Sequence, residues 1–394
     1  MKDVDAVIVG ARCAGSTLAL ALAQHGWDAV LVDRDTFPSD TAATHLIFPN
    51  TLARLEQLGV LNALLSAHDV PMLEFRIVGL GNEIEGSFTP IEGFDRAAAP
   101  RRSALDKAIL DTALAAGARG RFGKRVVDLM GSGTPEDPVA GVLLEGGERI
   151  AAKWVFGADG RGSTVAGRLG IGKVRPLQGE VSFLFAYWRG VPNDGAATSE
   201  IRKREVVNRW AGEDGLCLLT AWGDAEFTRG SKEERRSRYL EQLRRFPETI
   251  GPRVLERAQM VGDLVVAPES LMRGFFRAPT GPGWALVGDA CHFKHPATAQ
   301  GIADAVEQAI YVADALSGAN PRLEAYEQWR DRRASEHYEW SFAWGCFPRA
   351  ETESLFRGWA GEADAGQDLR DSFSRRVEPS RVLSKERLER WFAS

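Results

Sequence analysis

The sequence predicts an α/β fold in which a parallel-sheet nucleotide domain is interrupted by a mostly antiparallel second domain and followed by a helical C-terminal region. Three observations carry this reading. The chain opens on a strand, a glycine loop, a helix and a second strand; its middle switches to longer, aromatic-rich strands; and near its end a strand runs into a glycine–aspartate loop and an amphipathic helix. The expected boundaries are 1–70, 101–178 and 280–335 for the first domain, 71–100 and 179–279 for the second, and 336–394 for the helical end. A length of 394 residues suits two domains with a tail.

The first element, Asp5 to Val9 (DAVIV), is a short β-rich run followed by GARCAGS and a helix over Thr17 to His25 that Gly26 ends. Ala29 to Val32 then forms a second strand closing on Asp33, which completes a βαβ unit. Gly10 and Gly15 leave room where strand turns into helix, and the free N–H groups of the helix start suit a pyrophosphate. Asp33, 18 residues beyond Gly15, stands where a carboxylate accepts hydrogen bonds from an adenosine ribose. Arg12 occupies the place of the middle glycine, so a Cβ obstructs close backbone approach while a guanidinium answers phosphate charge directly. Arg12, and Arg34 next to Asp33, are counted among the cofactor-binding candidates. In the loop over residues 34–49, His45 either faces a reaction site or is satisfied locally; His25 reads as a solvated helix residue.

Strands over Leu73 to Val78 and Glu83 to Phe88 take the chain out of the nucleotide domain, and it returns near Pro100. A helix from Ser103 pairs Ser103 with Asp106 as a capping box and presents Leu105, Ile109, Leu110 and Leu114 on one face before Gly117 stops it. Arg101 and Arg102 before it read as a solvated basic pair or as ligand contacts. The strand over Lys153 to Phe156 leads into GADGRGS, where Asp159 and Gly160 form a tight turn beside the parallel sheet. Val181 to Trp188, Glu205 to Trp210 and Leu216 to Trp222 are the longer strands of the second domain. The charged run Lys232 to Arg245 reads as a helix with a solvated face.

The segment GWALVGDACHFKHPATAQGI, residues 283–302, ends a strand at Gly288 and Asp289, passes Pro296, and starts a helix near Gly301 with Ile302, Ala305, Val306, Ala309, Val312 and Leu316 on its packed face. The start of that helix stabilises negative charge in the cleft by about 0.3–1 kcal/mol. His292 and His295 are spaced i, i+3 but sit in a proline-containing loop, so no metal site is expected.

Composition excludes several classes. With 49 basic against 54 acidic side chains the formal net charge is −5, which offers no field for nucleic acid. Four scattered cysteines, Cys13, Cys217, Cys291 and Cys346, suggest neither a zinc site nor a disulfide framework and suit the cytoplasm. No run of 18 apolar residues predicts a membrane span. Eleven tryptophans predict large aromatic surfaces to bury or to offer a flat ligand.

Taken together, VIVGARCAGS with Asp33, GADGRGS, and ALVGDACHFKHPATAQGI resemble the three flavin motifs of the FAD-dependent monooxygenase superfamily, which also contains flavin halogenases and geranylgeranyl reductases. The resemblance spans residues 1 to about 330 and implies a Rossmann-like FAD-binding domain carrying an inserted substrate domain. It places Gly10 and Gly15 at the FAD pyrophosphate, Asp33 at the ribose, Asp159 near the pyrophosphate, Asp289 on the ribityl chain, and Pro296, Gln300, Gly301 and Ile302 beside the flavin ring. Arg102, in an RxxLD pattern with Leu105 and Asp106, matches an arginine set against the ribityl side. The chain departs from the pattern at Arg12, at Ala166 where arginine is frequent, and at His295 where aspartate is common; it has neither a WxWxIP nor a YxWxFP segment.

What the resemblance implies is a monooxygenase using NADPH or NADH and O2 to hydroxylate or epoxidise an aromatic or polyketide-like small molecule through a flavin C4a-hydroperoxide. Such a site must exclude water, so Phe183, Phe185, Trp188, Trp210 and Trp222 are candidate pocket walls, and His45 and His292 are candidate bases for a phenolic substrate. Two other readings stay open: a reductase or dehydrogenase acting on a C=C bond, and a flavin-binding protein without turnover. The Trp-rich C-terminal region either caps the cleft or forms a dimer contact, so monomer and homodimer are both open.

Overall fold

The computed structural model describes residues 4–39, 45–319, 321–346 and 348–393. Two large sheets organise these residues, each built around apolar strands whose pattern fits its surroundings. In the first sheet Thr280–Gly281, Trp284–Leu286, Arg149–Gly157, Val4–Val9, Ala29–Asp33 and Arg119–Phe122 lie side by side in that order. From Trp284–Leu286 to Arg119–Phe122 all neighbours are parallel. Val4–Val9 and Ala29–Asp33 are nearly continuous in buried apolar residues because both faces of a parallel sheet are covered. The helices Cys13–Gln24, Arg102–Ala115 and Gly301–Ser317 cover one face, with Leu18, Leu22, Ile109, Val306 and Val312 in their shared core. The hairpin Val126–Met130 and Gly141–Leu144 pairs onto Arg149–Gly157, and its Val126, Val142 and Leu144 belong to the core on the other face.

The second sheet runs Gln259–Ala267, Ser182–Arg189, Leu216–Gly223, Glu205–Ala211, Ala196–Arg202, Met72–Gly79 and Asn82–Gly86. Only the contact between Ala196–Arg202 and Met72–Gly79 is parallel. Two of these strands, Ala196–Arg202 and Gln259–Ala267, go unread in the sequence: AATSEIR is too polar and QMVGDLVVA too interrupted to carry a strand signal, and cross-strand pairing holds both in place. One face of the sheet packs under the helix Lys232–Arg244 through Tyr239, Leu243, Leu219 and Val207. The remainder of that helix is mainly solvent-facing.

The C-terminal region is five helices, Tyr326–Trp344, Ala350–Gly361, Ala363–Phe373, Pro379–Val382 and Lys385–Phe392. Its helical periodicity is weak in sequence because Tyr326–Trp344 is buried on more than one side: Tyr338 and Phe342 pack on Phe276, while Trp340 joins the core beneath the second sheet.

Charge joins this region to the nucleotide domain. Arg375 donates to Asp304 at 2.5 Å and to Glu307 at 3.2 Å, and its Nε bonds the Gln300 side chain. Lys294 and His292 approach the second oxygen of Asp304 at 2.8 and 3.3 Å. Asp304 is held well below the usual carboxylate range, although burial alone acts the other way, because Arg375, Lys294 and His292 surround it.

The expected capping box at Ser103 does not form. Helix Arg102–Ala115 has no side-chain cap, and Asp106 instead accepts from Arg102 at 2.9 Å and from the Cys13 thiol at 2.9 Å. Arg101 and Arg102 are not a solvated pair either: Arg101 bonds Glu213 at 2.7 Å, and buried carboxylates outcompete water for both guanidinium groups.

Replacing Arg375 by Met leaves Asp304 and Glu307 buried without their shared cation. The expected outcome is a loss of about 3–5 kcal/mol in urea unfolding and early proteolysis of the C-terminal helices; unchanged unfolding would show that the cluster does not tie the two regions together.

Candidate active site

Three loops converge at the carboxyl ends of adjacent parallel strands and line one cleft of about 610 Å³. The first follows Val4–Val9. Gly10 has φ +102°, and Gly15 lies so close behind it that a Cβ there would stand 1.8 Å from the Gly10 carbonyl oxygen. Glycine at both positions lets the helix Cys13–Gln24 start directly against the strand end. No side chain caps that helix. Asp33 is fixed by accepting from the Ala11 N–H at 2.7 Å and the Asp35 N–H at 2.9 Å. The Arg12 side chain is drawn to Asp35 at 3.1 Å, Ser39 at 3.1 Å and Asp106 at 3.5 Å. Arg12, Arg34 and Arg102 all line the cleft, Arg34 at its exposed rim.

The second loop follows Arg149–Gly157. One oxygen of Asp159 accepts from the Thr164 N–H at 2.6 Å, and the other is buried without a hydrogen-bond partner among the described residues. Burial raises the Asp159 pKa against the opposing hydrogen bonds. At Gly160 and Gly162 the space where a Cβ would stand is open. The third loop follows Trp284–Leu286 and carries Asp289, whose pKa burial pushes up to about 6 despite Arg161 and Arg102; Asp304 adds to the rise. Pro296, Gly301 and Ile302 line the cleft beneath the start of helix Gly301–Ser317. Gln300 does not: its amide donates to the Phe373 carbonyl at 2.7 Å and its carbonyl meets Arg375, because the C-terminal region offers buried partners that the cleft lacks. Gly15 likewise works from behind the wall.

A second chamber of about 220 Å³ adjoins the cleft, and Leu46 and Ala299 line both. Its walls come from the second sheet, including Phe75, Trp210 and Trp222, and from the C-terminal helices, including Trp340, Trp344 and Trp359. The five aromatic wall candidates thus divide three ways. Phe183 and Phe185 line the cleft, Trp210 and Trp222 line the chamber, and Trp188 lines neither. Trp188 differs from Phe183 and Phe185 in strand parity, so it points to the opposite face and donates to the Tyr239 hydroxyl at 2.9 Å.

Neither candidate base reaches the open space. His45 is buried with Nδ1 3.3 Å from the Tyr187 hydroxyl, and His292 is held by Gln308 at 3.0 Å and by Asp304. Burial lowers the His292 pKa and takes His295 down to about 3. The sequence reading missed Leu46, Arg161 and Lys294 as lining residues, and it left open whether the C-terminal tryptophans cap the cleft; Trp340, Trp344 and Trp359 line the adjoining chamber. Tryptophan frequency was the available signal for the last group, but not their placement. Among the described residues no cluster of His, Cys, Asp or Glu could hold a metal ion.

A cleft with two glycines, an uncapped helix start, a ribose-spaced carboxylate, an unpartnered buried Asp159 oxygen and open glycines at 160 and 162 has the donor set for a dinucleotide. Residues 3–249 match the FAD binding domain family. The chain belongs to that family. This flavoprotein is 25% identical over 348 residues to the menaquinone reductase of Mycolicibacterium smegmatis, a match covering 86% of this chain and 82% of the relative. It is 26% identical over 373 residues to the FAD-dependent monooxygenase atnJ of an Arthrinium species, covering 85% and 83%. Its fold matches a flavoprotein/dehydrogenase structure from Cytophaga hutchinsonii with a TM-score of 0.82 at 16% identity, covering 100% and 99%. The flavoprotein is therefore an FAD-dependent oxidoreductase, and no described helix is long and apolar enough to cross a membrane.

Gly15→Ala is expected to abolish FAD retention, checked by flavin absorbance after gel filtration; a yellow variant would remove the close approach from the account. The FAD-free chain also has a pH signature. Asp289 has a folded pKa of about 6, above its ordinary 3.8, so its contribution to stability is full below 3.8 and is lost as pH rises through 6. Asp289→Asn is expected to flatten that fall in melting temperature between pH 4 and 7, whereas an identical profile would contradict it.

Proposed function

We propose that this flavoprotein is a monooxygenase that uses NADPH or NADH and O2 to hydroxylate or epoxidise an aromatic or polyketide-like small molecule bound in the aromatic chamber. The observation that supports this most is the chamber itself: an uncharged, mainly aromatic and aliphatic space that meets the dinucleotide cleft at Leu46 and Ala299. Gly10, Arg12, Asp33, Arg34, Arg102, Asp159, Asp289, Pro296, Gly301 and Ile302 would hold the FAD, with Gly15 and Gln300 supporting from behind. Bound FAD supplies the electron transfer and oxygen activation.

The chain supplies the surroundings. The start of helix Gly301–Ser317 stabilises negative charge developing at the cleft, by about 0.3–1 kcal/mol. Trp210, Trp222, Trp340, Trp344 and Trp359 exclude water, which would otherwise divert activated oxygen to hydrogen peroxide. Phe183 and Phe185 extend the apolar wall into the cleft. No proton transfer is assigned to His45 or His292, since neither lines either space.

The menaquinone reductase relative favours a second reading, reduction of a C=C bond, for which the same chamber would hold an apolar chain. Oxygen separates the two. Purified holoprotein is mixed anaerobically with NADPH or NADH, and air is then admitted. The monooxygenase reading expects loss of oxidised-flavin absorbance, then its return with oxygen uptake. Bleaching that persists in air until an alkene is added would favour the reductase.

Trp344→Ala opens the chamber wall. Its expected effect is a larger share of consumed oxygen appearing as hydrogen peroxide, measured with a peroxidase-coupled dye, with FAD content unchanged. An unchanged peroxide share would mean that the wall does not keep the site dry.

A further inference from the structure

Among the described residues that line the chamber, none is Asp, Glu, Lys, Arg or His. An ionised carboxylate or phosphate entering it would lose its hydration without gaining a counter-charge, a penalty of several kcal/mol per ion. Besides Thr298 and Thr352 on its walls, the chamber has a polar place on the side of the sheet. Ser199 and Asn208 are directly opposed on neighbouring strands, and Asn208 is directly opposed to Thr220 on the next. Residues paired in this way face the same side of the sheet, so Ser199, Asn208 and Thr220 form a short polar row across an otherwise apolar floor.

Hydrogen bonding fixes how that row presents itself. The Asn208 amide donates to the Thr220 hydroxyl at 2.7 Å, and the Trp222 indole N–H donates to the same oxygen at 3.1 Å. Asn208 is 2% exposed and lines the chamber. With its amide nitrogen committed to Thr220, its carbonyl oxygen meets no protein donor among the described residues. Ser199, opposite it, also lines the chamber. The row continues into Ile77 on one side and Phe185 on the other, so its polar stretch is confined to these three residues.

We infer that Asn208, assisted by Ser199, is a specificity-determining residue that anchors a neutral hydroxyl of an otherwise flat, apolar substrate, and that the chamber rejects carboxylates and phosphates of the same shape. The inference rests on the reading of the chamber as the substrate site. A buried acceptor facing a ligand discriminates strongly, because a ligand without the donor leaves it unpaired and a ligand with a negative charge is repelled by it.

Calorimetry on the FAD-loaded protein at pH 7, without an electron donor, tests it with three flat probes: 2-naphthol, naphthalene and 2-naphthoate. The naphthol is expected to bind at least about tenfold more tightly than the naphthoate and about fivefold more tightly than naphthalene. Asn208→Leu should reduce naphthol to the affinity of naphthalene while naphthalene itself is unaffected. Ser199→Ala should weaken naphthol alone by a smaller factor, and serves if the first variant does not fold. Naphthoate binding as well as naphthol, a naphthol advantage that survives both substitutions, or no binding by any probe would overturn the inference. Oxygen uptake is followed on separate samples. Naphthol selectivity without oxygenation would retain the anchoring site and remove the monooxygenase reading; oxygenation without that selectivity would do the reverse.

Discussion

The parallel alignment of Val4–Val9, Arg149–Gly157 and Trp284–Leu286 is the constraint on which the site depends. Val9 and Leu286 both pair with Gly157, so three loops separated by more than a hundred residues leave the sheet at the same level. Gly10, Asp159 and Asp289 meet because of that register and not because of any contact between their side chains. The helix Cys13–Gln24 crosses over from Val4–Val9 to Ala29–Asp33, while Gly301–Ser317 follows the last strand of the sheet, and both start at the cleft. Close packing then sets the tolerances: Gly15 against the Gly10 carbonyl, and Gly288 so near Ala14 that an added Cβ would stand 2.9 Å from its methyl.

The C-terminal region completes what the sheets begin. The aromatic floor of the second sheet becomes a chamber only where Trp340, Trp344 and Trp359 cover it, and these rings hold one another, Trp344 stacking on Trp359 and Trp359 meeting Trp391 edge-on. The cover is anchored through Arg375 to Asp304, one turn into the helix whose start lines the cleft. Arg375 itself adopts a left-handed backbone at φ +58°, a conformational cost offset by its two carboxylate neighbours, Asp304 and Glu307. The same helix therefore serves the cofactor cleft at its first residues and the chamber cover one turn later.

Much of this was legible in the sequence where local chemistry determines placement. The βαβ unit, Asp33, the loops at Asp159 and Asp289, and the helix from Gly301 depend on short-range patterns and are present as read, although the first helix starts at Cys13, inside the segment read as loop, and not at Thr17. What was illegible depends on partners distant in the chain. Trp188 was grouped with Phe183 and Phe185 by residue type, although strand parity sends it under Tyr239. Gln300 was grouped with its neighbours by motif, although a backbone carbonyl more than seventy residues later holds it. The capping box at Ser103 failed because Cys13 and Arg102 supply Asp106 with stronger partners than its own helix start. Strand Ala196–Arg202 was invisible because its pairing, parallel on one side and antiparallel on the other, substitutes for intrinsic propensity.

The central claim is that the chamber opens onto the reactive part of bound FAD, so that an apolar molecule and activated oxygen meet away from water. A crystal structure of the FAD-loaded protein tests this most directly. The account predicts the adenosine ribose at Asp33 and the edge of the flavin ring at the junction formed by Leu46 and Ala299, in contact with the chamber. A ring directed away from that junction, with Leu46 and Ala299 closed against each other, would contradict it.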